Sequence, residues 1–214
     1  MGAALERMVP RDGTEIVCWS TGSGPPLVLV HGGPADHTRW EPLLPFLEPH
    51  ATVYAMDRRG RGGSGDSPEY AVAREYEDVA AVVDTVAAAR GATVDEYGHS
   101  FGGSCALGGA TLTSKVRRLA VYERPVSSTT DVSPTGLLDR IDTLLAQGRL
   151  EDLAETVVRT ELQMSDEEFE AFRTQPSWPS RVAAAHTIPR ETRVELAGAF
   201  DLAQLSGSPC LRWR

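Results

Sequence analysis

The run Gly98-His99-Ser100-Phe101-Gly102 constrains this chain more than any other feature. It joins a stretch that reads as a strand, Thr93 to Tyr97, directly to one that reads as a helix, Gly102 to Thr113. A turn that sharp leaves no room for side chains at its flanks, hence the two glycines. It also holds Ser100 at the electropositive N-terminal end of a helix, where a developing anion is favoured. G-x-S-x-G between strand and helix is the pattern of a nucleophile elbow, and Ser100 is the candidate nucleophile.

The surroundings suit a doubly wound, mostly parallel α/β sheet. Glu15 to Trp19, Pro26 to Val30, Thr52 to Met56 and Val116 to Tyr122 read as further strands, several apolar on consecutive positions as expected when both sheet faces are covered. Trp40 to Leu47 and Arg74 to Arg90 read as helices between them, the second with Tyr76, Val79, Val82, Val83 and Val86 at helical spacing. Strand and helix in alternation is the signature of this architecture.

Past Pro125 strands vanish. Gly136 to Gln147, Leu150 to Glu161, Asp166 to Arg173 and Thr192 to Ala199 read as helices, and Ser165 with Glu168 predicts a capping box. The expected organisation is a core over residues 1–126, a helical cap over 127–199 and an aberrant tail over 200–214.

Composition narrows the function. At 214 residues and 41% hydrophobic, the chain can bury a substantial core. Its net charge of −9 disfavours nucleic acid as a partner. The longest apolar runs are too short for a bilayer, and Met1 to Pro10 lacks the pattern of a signal peptide, so a cytoplasmic location is expected. Cys18, Cys105 and Cys210 are widely separated and read as free thiols, with no metal or redox motif.

Two further motifs bear on chemistry. His31-Gly32-Gly33-Pro34 follows an apolar strand where this architecture supplies half of an oxyanion hole. Pro34 has no N–H to donate, so Gly33 is the candidate donor, working with the N–H of Phe101; the alternative is a plain glycine turn. Gly60-Arg61-Gly62-Gly63-Ser64-Gly65 satisfies G-x-G-x-x-G, but a dinucleotide site needs a helix opening on the last glycines. Asp66-Ser67-Pro68 follows instead, so the neighbouring arginines are expected to brace a loop.

Leu27 to Gly33, Met56 to Asp66 and Tyr97 to Gly103, in that order and spacing, resemble the α/β-hydrolase superfamily, with the match running from Glu15 to about Pro125. The resemblance implies a cofactor-free hydrolase acting on a small ester or related acyl substrate, or a relative such as a cofactor-free haloperoxidase. It also implies a cap over the site. His37, Trp40 and Phe101 are candidate pocket residues, or else core, as aromatics near an elbow as often are. Family dehalogenases and epoxide hydrolases place an aspartate at the elbow, which Ser100 disfavours. A Pro-specific peptidase is suggested by His31-Gly32-Gly33-Pro34 and disfavoured by His99 and Phe101.

In this family the order is serine, acid, histidine. Only His186 follows Ser100, inside the cap rather than after the last strand; it is either the base or an ordinary cap residue. Glu123 is the candidate acid, or else a strand-end carboxylate paired with an arginine. After Phe200 to Leu205 the family pattern calls for another apolar strand, and Ser206 to Arg214 does not provide one. The expectation is a frameshift or early stop near Leu205. That would leave the edge beside Val116 to Tyr122 open to self-association and the activity impaired; a non-catalytic binding module and a non-functional product are the alternatives.

Overall fold

The computed structural model describes residues 4–8, 12–123 and 136–197. Six strands form one mixed sheet: β1 (Ala4–Met8), β2 (Ile16–Gly22), β3 (Pro26–Val30), β4 (Thr52–Asp57), β5 (Val94–His99) and β6 (Val116–Tyr122). Their spatial order is β1-β2-β4-β3-β5-β6. The pairs β3–β4, β3–β5 and β5–β6 are parallel, while β2 runs antiparallel to both β1 and β4. β1 has no counterpart in the sequence reading. Five residues with Glu6 and Arg7 among them carry little strand signal, and pairing with β2 supplies the order.

Helices cover the sheet as the apolar runs require. α1 (Leu44–Leu47) and a 3₁₀ turn, His37–Trp40, lie against one face, where Leu29, Trp40, Val53 and Ala55 form a small core. α2 (Val72–Arg90) and α3 (Phe101–Ala110) pack on the other face, and Val28, Val30, Met56, Val79, Val83, Phe101 and Cys105 are buried between them. The G-x-G-x-x-G stretch opens no helix, since α2 begins only at Val72. Among the described residues β6 is the last strand of the sheet, and its Tyr122 is 54% exposed.

Residues 136–197 are helical: α4 (Leu137–Ala146), α5 (Leu150–Leu162), α6 (Asp166–Arg173), α7 (Trp178–Ala184) and α8 (Ile188–Leu196). Ile141, Leu153, Val157, Phe169, Trp178 and Ile188 give these helices an apolar cluster of their own. The capping box forms: Ser165 N–H donates to Glu168 Oε2 at 2.8 Å, and Glu168 N–H to Ser165 Oγ at 3.3 Å. α8 starts four residues before its expected start, because Pro189 sits in the first turn, where a missing N–H costs nothing. No described helix is long and apolar enough to cross a membrane. Cys18 and Cys105 are buried free thiols. Cys210, the tail 200–214 and the boundary expected near residue 126 lie outside the described residues.

Candidate active site

Ser100 occupies the one-residue turn between β5 and α3 with φ 54° and ψ −131°, a left-handed conformation that a residue with a Cβ adopts only under constraint. The constraint comes from both sides. Ser100 N–H donates to Tyr122 O at 2.9 Å, and Gly103 N–H donates to Ser100 O at 2.7 Å. The flanking glycines are required by close approach: a Cβ on Gly102 would stand 2.2 Å from His31 O, and one on Gly98 2.7 Å from Gly103 Cα.

The segment after β3 lies beside this turn. A Cβ on Gly32 would meet Ser100 Cβ at 2.8 Å. Gly33, Ser100 and Phe101 line one small cavity of about 40 Å³, closed over by Val157 and Glu161 of α5 and by Ile188, Glu191, Thr192 and Glu195 of α8. Phe101 is the first residue of α3, so its amide is among those a helix leaves unpaired. Ser100 and the two candidate donors are thus brought together.

Other candidates fall elsewhere. His186 is exposed, its Nδ1 lies 2.9 Å from Ala183 O of its own turn, and it does not line the cavity. The helical step turns it outward while its neighbours Ala185 and Thr187 are buried. Glu123 follows β6 with φ 51°; its carboxylate is 64% exposed and faces His99 Nε2 at 3.7 Å rather than the cavity. Trp40 is 3% exposed and packs edge-on against Tyr97 and His99 in the core of the opposite sheet face. His37 stacks on Trp19 at 4.5 Å and binds Asp57. Neither His37 nor Trp40 lines the cavity.

Beneath the cavity lies a buried charge network. The Arg58 guanidinium donates to both oxygens of Glu75, at 2.9 and 2.7 Å, and stands 4.7 Å from the centre of the Phe101 ring. Arg58 and Arg61 both donate to Glu191 Oε1. Arg61 also donates to Thr187 Oγ1 at 2.7 Å, and Arg59 pairs with Asp78 at 2.6 Å and with Asp12 at 3.0 Å. The arginines do brace the loop, with carboxylates from α2 and α8. Burial would lower the Arg58 pKa, but Glu191 and Glu75 hold it well above the ordinary value. Arg61 is shifted down, by burial first and by the Arg58 charge.

His31 completes the base of the site. Its Nε2 accepts from Arg58 N–H at 3.1 Å and its Nδ1 donates to Gly32 O at 2.8 Å, so the ring is neutral; burial, with Arg58 and Arg61, pushes its pKa down to about 3. Burial, with the charges of Glu161 and Glu191, pushes Glu195 up to about 8.

Glu161, Glu191 and Glu195 were not singled out from sequence, where they look like solvated positions on amphipathic helices. One signal is present: three arginines in the loop that follows a buried strand require buried carboxylates from somewhere.

The family model described as the alpha/beta hydrolase family matches residues 27–213. The chain belongs to the alpha/beta hydrolase family. Among solved structures, the chain is similar to an alpha/beta hydrolase from Sphaerobacter thermophilus at 35% identity, with a TM-score of 0.80 over 95% of this chain and 78% of that one. Among curated proteins it is similar to a 2-hydroxy-6-oxo-2,4-heptadienoate hydrolase of Pseudomonas putida, 33% identical over 56% of this chain and 45% of that protein. It is also similar to a pimeloyl-[acyl-carrier protein] methyl ester esterase of Xylella fastidiosa, 32% identical over 65% of this chain and 52% of that protein. The chain spans about half the length of these two relatives.

Proposed function

We propose that this α/β-hydrolase is built for serine-dependent cleavage of an ester or related acyl bond in a small molecule, with Ser100 as nucleophile and the N–H groups of Gly33 and Phe101 as oxyanion donors. The observation that carries this reading is the strained Ser100 turn opening on the same cavity as both donors. In this reading Ser100 Oγ bonds to the carbonyl carbon of an ester placed there and gives up its proton to solvent. The carbonyl π pair moves to the oxygen, where it meets two N–H donors; when that pair returns, the C–O bond to the alcohol breaks and the alcohol takes a proton from solvent, leaving acyl-Ser100. The name of one relative, a methyl ester esterase, supports the bond type.

This reading predicts low turnover by the chain. No histidine lines the cavity among the described residues. Loss of the base from a serine triad costs on the order of 10⁶ in turnover, with roughly 10³ to 10⁴ over water remaining from the donors and binding. The same observation supports a second reading, a binding module that uses the pocket without chemistry.

Fluorophosphonate labelling separates the two. The hydrolase reading expects one equivalent of slow, stoichiometric label on the native chain, lost in Ser100→Ala and slowed in Gly33→Pro. Labelling that persists in Ser100→Ala would transfer the reactivity to another residue and overturn the assignment.

A further inference from the structure

The cavity over Ser100, about 40 Å³, holds only a few water molecules, whereas small-molecule sites run to roughly 300–1,000 Å³. Room for a small molecule in this cavity requires α8 to move, since four of the lining residues belong to it. What holds α8 down is specific. Glu191 reaches across to Arg58 and Arg61 with one oxygen. Its other oxygen, Oε2, lies against the segment that carries Gly33, 2.7 Å from where a Cβ on that residue would stand. A carboxylate of the protein itself thus spans from a buried guanidinium pair to the cavity wall beside Ser100.

We propose that the Arg58–Arg61 pair is a carboxylate subsite of this cavity, filled in the closed protein by Glu191, and that the substrate is an acyl compound bearing a carboxylate which replaces Glu191 when α8 lifts. The inference rests on the hydrolase reading for the word substrate, and on the buried network alone for the subsite.

Charge balance makes the argument. Arg58 and Arg61, both buried, are matched by Glu75 and Glu191. Withdrawing Glu191 leaves one uncompensated positive charge away from water, which is unfavourable until another anion arrives. Arg61 adds a directional vacancy: its Nε is buried and has no hydrogen-bond partner among the described residues. A neutral ester cannot offset the loss of Glu191, but a ligand carboxylate can, by forming the same charge-assisted bonds. Burial raises the cavity's other acids, Glu195 to about 8 and Glu161 to about 7, so both carry less negative charge at neutral pH than ordinary carboxylates.

The test has a binding arm and a reaction arm. Glutarate binding is measured by calorimetry and thermal shift on the native chain, Glu191→Ala, Glu191→Gln and Glu191→Ala/Arg61→Met. The proposal expects Glu191→Ala to bind glutarate at least about tenfold more tightly than the native chain. Glu191→Gln should fall between them, and the gain should vanish when Arg61 is also replaced. Adding Ser100→Ala should change nothing in this arm, which separates it from the hydrolase reading. Should Glu191→Ala fail to fold, Glu191→Gln decides on the same criterion. Equal affinities in native and variant chains, or equal stabilisation by chloride at matched ionic strength, would overturn the subsite.

In the reaction arm, Ser100 acylation by p-nitrophenyl hemiglutarate is compared with that by p-nitrophenyl valerate. The hemiester should react at least about tenfold faster. Equal rates would overturn the substrate class. No acylation by either, together with no fluorophosphonate label, would sink the hydrolase reading and leave the subsite to the binding arm.

Discussion

His37 Nδ1 and Asp57 Oδ1 meet at 2.8 Å, and the same carboxylate accepts from the His37 backbone N–H at 2.8 Å, Gly63 N–H at 2.9 Å and Trp19 Nε1 at 3.1 Å. Asp57 therefore ties the end of β4 to β2, to the arginine loop and to the segment that carries Gly33. Burial alone would lower the His37 pKa, but the hydrogen bond and charge of Asp57, with Asp36 and Glu41, leave it raised. Burial would raise Asp57, and His37 with Gly63 leaves it lowered. A raised histidine contributes stability that is complete below about pH 6.5 and is lost as pH climbs through its folded pKa. His37→Phe keeps the stack on Trp19 and removes the bond. Denaturant titrations should show the variant less stable by about 1–2 kcal/mol at pH 5.5, with the gap shrinking above pH 7. A gap that is constant with pH would mean the pair contributes packing alone.

The conformation of Ser100 carries a stability cost. With φ 54° at a residue bearing a Cβ, replacement by glycine relieves strain on the order of 1 kcal/mol. Ser100→Gly should melt higher than the native chain while losing all fluorophosphonate label. A lower melting temperature would mean the turn is not strained.

Much of this was legible because the features that position Ser100 are local. The elbow, the Gly32-Gly33 segment and the strand-helix alternation depend on neighbours in sequence, so Gly33, Ser100 and Phe101 converge as expected. Features set by long-range packing were not legible. β1 exists because β2 offers an edge, and α8 reaches Ser100 because Glu191, more than 130 residues from Arg58, finds two guanidiniums there. Of the two readings open to the aromatics near the elbow, Trp40 takes the core one, on the opposite sheet face, while His37 is held by Asp57, a partner that lies 20 residues away and that no local pattern indicates. His186 was chosen by chain order, and its side chain turns to solvent.

Close backbone packing at the elbow predicts an unforgiving position. A methyl group at Gly102 would meet His31 O at 2.2 Å and Val30 O at 2.5 Å, both backbone atoms of the central strand region that cannot swing aside. Gly102→Ala should cost more than about 3 kcal/mol, measured as a large loss of melting temperature or failure to accumulate as folded protein. A variant within about 0.5 kcal/mol of native would show that α3 can slide along the sheet.

Glu96 is the counter-example to a satisfied interior. It lies on β5, 2% exposed, paired in register with Val28 and Leu119, and neither carboxyl oxygen has a hydrogen-bond partner among the described residues. Burial pushes its pKa well above the ordinary value. A group whose folded pKa exceeds its unfolded pKa is most compatible with the fold at low pH, and its contribution declines as pH rises past about 4.3. Glu96→Met keeps the length of the side chain and removes both the unmet hydrogen bonds and the titration. The variant should be more stable than the native chain by about 1–3 kcal/mol at pH 8, with the advantage shrinking toward pH 4. Urea denaturation at the two pH values checks both magnitude and sign. An advantage that grows as pH falls would show that Glu96 is ionised in the fold and has found a partner.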